Sequence, residues 1–135
     1  TEAALAGDGP AAIAWTGEFT HDLPARAGVG GRCSAFLAAM AQRLCGAERD
    51  DRERLLLLAI ASDGDDGTTA TSGGFVDSHT FDQGRSLLGV EAFDEAIRNQ
   101  DSGRLLQRLG TTIEGGAFQT NLMDLYAVLR LPGAS

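Results

Sequence analysis

The sequence predicts an α/β domain, a layered α/β/α arrangement with a mixed sheet, and three observations carry that expectation. Residues 55–61 (LLLLAIA) form an unbroken apolar run, as in a strand buried on both faces of a sheet. From Arg32 to Leu44 the apolar residues Cys33, Phe36, Leu37, Met40, Ala41 and Leu44 recur at i, i+3, i+4, i+7, i+8 and i+11, the spacing of an amphipathic helix. Helix-like and strand-like segments then alternate along 135 residues, a length suited to one domain.

Residues 1–10 (TEAALAGDGP) are small and Gly-rich and read as a loose N-terminal segment; the domain proper spans 11–131. Thr1 in place of Met marks a fragment or a processed product. Ala11 to Thr20 reads as a first strand with Ile13, Trp15 and Phe19 on one face. His21 to Gly31 is a loop that feeds the 32–44 helix, and Gly46 is placed to stop that helix. The charge run Glu48 to Arg54 is a solvated loop or helix edge. After the 55–61 strand, Thr68 to Gly74 reads as a loop and Phe75-Val76 as a short extended piece. Ser78 or Thr80 caps a helix over 81–88, a second helix covers about 90–98, and Asp101 or Ser102 caps a third that Gly110 ends. Thr111 to Glu114 is a short strand and Gly115 to Asn121 a loop. The periodicity of Leu122 to Leu131 (LMDLYAVLRL) leaves strand and helix both open.

The net charge of −8 and pI near 4.5 argue against nucleic-acid binding and against docking on anionic lipid. No apolar run is long enough to span a membrane, and no signal-peptide pattern opens the chain. All eleven basic residues are Arg, so a Schiff-base lysine, a P-loop lysine and a lysine general base are excluded within this chain. Cys33 and Cys45 lie on one helix about 18 Å apart along its axis, too far for a disulfide. Free thiols point to a reducing, cytoplasmic setting. Two Cys and two His (His21, His79) show no zinc spacing, and no metal site is expected.

Chemistry is expected in two loops. Gly28-Val29-Gly30-Gly31-Arg32 leads into a helix, whose free N–H groups and positive end suit an anion, with Arg32 as a charged fork for phosphate or carboxylate. Asp63, Asp65 and Asp66 follow the buried strand, where α/β proteins place ligands, and can act as bases or approach a cation. The loop is not an EF-hand, since Gly67 takes the third ligand position and no Glu closes it. Thr120-Asn121 offers further polar groups. The same Asp, Gly, Thr and Asn residues also make ordinary solvated turns. His21 and His79 have no partner in sequence, and no G-x-S-x-G elbow is present.

Taken in order, these elements resemble the MOFRL domain, the C-terminal domain of the glycerate 2-kinase family, also labelled hydroxypyruvate reductase. Gly17-Glu18 with Thr20 matches its Gly-Gly-Glu-Thr-Thr strand end, and Gly28, Gly30, Gly31 and Arg32 match its glycine-rich G-G-R element. Ser62-Asp63-Gly64, Asp66-Gly67, Thr69, Gly73, Asp77 and Thr80 match its D-G-x-D-G-x-T block. Asn99, Asp101 and Ser102, then Gly116, Thr120, Asn121 and Asp124, match its closing blocks. The chain departs from the pattern at Cys33 (Asn in the family), Ala35 (Glu), Ala70 (Asp), Phe19 (Thr) and Ala117-Phe118-Gln119 (Pro-Thr-Gly).

The resemblance implies a share in ATP- and Mg²⁺-dependent phosphorylation of D-glycerate, in a cleft formed with an N-terminal glycerate-kinase-like domain. In that picture Arg32 and Asp63 are catalytic. Gly30, Gly31, Arg32, Asp66, Thr120 and Asn121 bind a small anionic substrate, and Arg32, Asp63 and Asn121 face one cleft. The isolated domain is then expected to hold no cofactor and to be inactive alone. The rival reading, from the departures, is a catalytically lapsed domain kept as an interaction or small-ligand-binding module.

Overall fold

A computed structural model describes residues 9–20, 27–45, 52–116 and 122–133. The expected loose segment therefore lies outside the described residues apart from Gly9 and Pro10, as do His21, residues 46–51 and the side chain of Cys45.

Five strands form one sheet: β1 (Ala11–Gly17), β2 (Leu55–Ile60), β3 (Thr71–Asp77), β4 (Thr112–Glu114) and β5 (Asp124–Arg130), in the spatial order β1-β5-β2-β3-β4. Among the described residues four helices accompany them: α1 (Arg32–Cys45), α2 (Ser78–Leu88), α3 (Val90–Arg98) and α4 (Ser102–Leu109). The α/β class expected from the sequence holds, with two differences of detail. Every described strand pairing is antiparallel rather than mixed. And the described helices pack on one face of the sheet, giving two layers in place of three.

The core explains the second difference. Leu55, Leu57 and Ala59 of β2, Val76 of β3, and Tyr126 and Val128 of β5 are buried together with Cys33, Leu37, Ala38, Ala41 and Leu44 of α1, Phe81 of α2, Phe93 of α3, and Leu105 and Leu106 of α4. The alternate β2 residues Leu56, Leu58 and Ile60 are only half-buried. The apolar run is thus fully covered on one face, not on both.

α1 forms where its spacing predicts, with Cys33, Leu37, Ala41 and Leu44 inward. The ambiguous C-terminal segment is strand β5, and it takes an interior place in the sheet between β1 and β2. β3 starts at Thr71, inside the segment expected to be a loop. Its glycines are demanded by packing. A Cβ on Gly74 would lie 2.5 Å from the Thr111 carbonyl oxygen, and Gly73 has φ +139 beside a register shift against β4. The cap of α2 is Asp77, one residue before the expected Ser78: its carboxylate accepts from the N–H groups of His79 and Thr80, and Thr80 Oγ1 accepts from the Asp77 N–H.

Candidate functional site

The pairings Gly17 with Asp124, Ile60 with Leu125 and with Gly73, and Thr71 with Glu114 put the ends of β1, β2 and β4 and the starts of β3 and β5 at the same end of the sheet. The loops that leave those strands, and the N-terminus of α1, therefore gather there. Ser62 Oγ accepts a 2.8 Å hydrogen bond from Leu122 N–H, which ties the exit of β2 to the approach of β5.

The glycine-rich element 28–31 is held on both sides by other loops. Val29 N–H donates to Asp101 Oδ1 at 2.7 Å, and Gly103 N–H donates to the Val29 carbonyl at 2.9 Å. On its other side, Thr68 N–H donates to the Gly30 carbonyl at 3.2 Å. A Cβ on Gly31 would overlap the Asp66 carboxylate, and one on Gly28 would overlap the Asp101 side chain. These glycines let three backbones approach closely.

The N-terminus of α1 already has an anion. Asp66, 2% exposed, accepts from Cys33 N–H at 2.8 Å through Oδ1 and from Ser34 N–H at 2.9 Å through Oδ2. A carboxylate there satisfies two helix-end donors and complements the helix dipole. Ser34 Oγ accepts from Gly31 N–H at 2.9 Å and from Ser102 Oγ at 3.2 Å, which adds α4 to the junction. Asp66 thus acts toward the helix end rather than outward.

Arg32 reaches across to β5. Its Nε donates to Asp124 Oδ2 at 2.8 Å and its Nη2 to Oδ1 at 3.3 Å, while Glu18 Oε1 lies 3.7 Å from Nη2. The hydrogen bond to Asp124 raises the pKa of Arg32. Asp124 also accepts from Tyr126 Oη at 3.1 Å. Burial pushes the Tyr126 phenol and the neighbouring Cys33 thiol well above their ordinary ranges, so both stay protonated.

Beside this network is a cleft of about 330 Å³ lined by Phe19, Ala35, Phe36, Ile97, Gln100 and Ser102, with Arg32 the charged group in its wall. Phe19 stacks on Phe36 at 5.4 Å between ring centroids, and both meet Tyr126 edge-on. Gln100 has φ 55, a left-handed conformation that costs a non-glycine residue about 1–2 kcal/mol. This aromatic wall and Gln100 escaped the sequence reading. Phe19 was expected to share a face with Trp15, but nothing in the spacing joined it to Phe36.

Asp63 is exposed at the turn after β2, where its Oδ1 accepts from Asp65 N–H at 3.2 Å. Its loop and Arg32 share one end of the sheet, with no contact between the two side chains among the described residues. Thr120 and Asn121 lie outside the described residues. Among those described, no three His, Cys, Asp or Glu side chains stand together as they would around a cation. Both oxygens of Asp66 are engaged by α1, and the chain has no lysine.

Residues 11–124 match the MOFRL family, which is most of the chain. The chain belongs to the MOFRL family. The MOFRL domain superposes on a glycerate kinase from Thermotoga maritima with TM-score 0.76 and 30% identity, over 90% of this chain and 27% of that one. It matches the fold of the PH0495 protein from Pyrococcus horikoshii OT3 with TM-score 0.77 and 21% identity, over 90% of this chain and 26% of that one. It therefore spans about a quarter of the length of these solved chains. No curated protein matches it in sequence. Among the described residues, no helix is long and apolar enough to cross a membrane.

Proposed function

We propose that this MOFRL domain forms one wall of the substrate cleft of a glycerate-kinase-like protein. There it contributes to ATP-dependent phosphorylation of D-glycerate together with an N-terminal domain. One observation carries the reading: the described parts of the glycine-rich 28–32 element and the Asp63–Gly67 loop, both matching the family pattern, gather at one end of the sheet, beside an apolar cleft whose charged group is Arg32. Arg32, Asp124 and Asp66 all match the pattern, and the Arg32–Asp124 bonds and the grip of Asp66 on the Cys33 and Ser34 amides hold the loops in place as a frame. Nη2 of Arg32 is 3.7 Å from the exposed Glu18, a loose pairing that an anionic substrate can compete for. ATP and Mg²⁺ are then held chiefly by the other domain.

The test is turnover of ATP and D-glycerate by the longer protein. Arg32→Ala is expected to raise KM for glycerate at least about tenfold, as loss of a charge-assisted contact does. Turnover that is indifferent to Arg32 would remove it from the substrate site.

A second reading, a lapsed domain that binds a small ligand without chemistry, is favoured by one feature. Ala35 lines the cleft where the family pattern has Glu, so a carboxylate is missing from that wall. Glycerate binding by the longer protein without turnover would select this reading.

A further inference from the structure

The sheet face away from the helices is as apolar as a core. Successive rows across β1, β5, β2 and β3 read Ala12, Leu129, Leu56, Asp77; then Ala14, Ala127, Leu58, Phe75; then Thr16, Leu125, Ile60, Gly73. The charged group in these rows is Asp77, whose carboxylate is spent on capping α2. Phe75 and Leu125 are 36% and 38% exposed. An antiparallel sheet with one wet face normally carries polar residues there. In a chain of net charge −8, a face without free charge is a surface to be covered.

We infer that this outer face is the docking surface for an apolar layer supplied in cis by the longer polypeptide, completing a three-layer domain. The inference rests on the reading of the domain as part of a two-domain protein. Two observations select that occupant over a second copy of the chain. The first is area. Four strands about 4.8 Å apart and six residues at about 3.3 Å rise span roughly 400 Å², whereas a stable dimer buries about 800 Å² per partner. A tethered layer needs less area, because the tether already limits its freedom. The second is length: the solved relatives carry about three quarters of their chains outside the part matched here.

Phe75→Arg and Leu125→Arg test this, because both positions are exposed enough for an arginine to reach water in the 135-residue chain. That chain is expected to be a monomer, to bind anilinonaphthalene sulfonate while folded, and to lose much of that binding in either variant with its melting temperature nearly unchanged. In the longer polypeptide the same substitutions are expected to lower the melting temperature by roughly 5 °C or more and to speed proteolytic separation of the domains. Three outcomes would overturn the inference: no dye binding by the folded chain, a dimer that either substitution dissolves, or a native gene product in which both variants are silent. Docking that responds to the substitutions in a protein without glycerate kinase turnover leaves the inference standing and removes the proposed activity instead.

Discussion

Asp66 is a buried carboxylate whose two oxygens each hold an amide of α1. Removing it leaves two N–H groups unsatisfied at a helix end. Asp66→Ala is expected to cost about 2–4 kcal/mol, with Asp66→Asn intermediate because one acceptor oxygen survives; urea denaturation measures both. Cys33 and Tyr126 set the response to alkali. Their pKa values are raised in the fold, chiefly by burial, so the unfolded chain ionises first and is favoured as pH rises. Stability from these groups is therefore fully present below pH 9.0, the ordinary thiol value, and is lost as pH climbs through that value and the phenol value of 10.0. Melting temperatures from pH 7 to 11 are expected to fall beyond about pH 9, and Tyr126→Phe should flatten part of the fall. A flat profile in the wild-type chain would mean that neither group is held protonated by the fold.

At the scale of elements, legibility followed period. α1 was readable because one stripe faces one core. β2 was readable because β-strand residues on the outer face stayed apolar, and that same feature suggested a third layer that the described helices do not supply. β5 could not be assigned from its own residues, since its interior place in the sheet depends on partners in β1 and β2 that lie far upstream in the chain. β3 was hidden by Ser72, Gly73 and Gly74, which carry turn chemistry, although the two glycines serve close backbone contact and the Ser72 hydroxyl donates to the Gly64 carbonyl. In the site, the motif loops were visible in the sequence, whereas their mutual bonds span 33, 72 and 92 residues and no local spacing encodes them. The same reasoning gives a test in α2. Ala for Gly inside a helix ordinarily stabilises by up to about 1 kcal/mol. At Gly84 a Cβ would overlap the Phe93 ring of α3, so Gly84→Ala is expected to destabilise by about 1–3 kcal/mol. Thermal unfolding reads the sign; a stabilised Gly84→Ala would show that α2 and α3 can separate freely.

For the molecule as a whole, the proposed cleft has one wall here, open to water on its far side. The isolated chain is expected to show no phosphoryl transfer from ATP to D-glycerate, since such transfer depends on pre-organised charge around the phosphates; a coupled ADP-release assay checks this, and measurable turnover would place the whole site within 135 residues. The strand order has a consequence of another kind. β1, the first described strand of this sheet along the chain, pairs with β5, the last of the five, and β5 is also the bridge from β1 to β2. During synthesis, at about 5–20 residues per second, β1 must wait several seconds with no neighbour to pair with. The sheet closes only after residues 124–130 have left the ribosome, so the emergence of β5, rather than the making of the helices, sets the moment at which this domain acquires its shape. A ribosome stalled before Asp124 should hold a nascent chain that proteases digest readily, and one stalled far enough beyond Arg130 to free β5 from the exit tunnel should hold a resistant one.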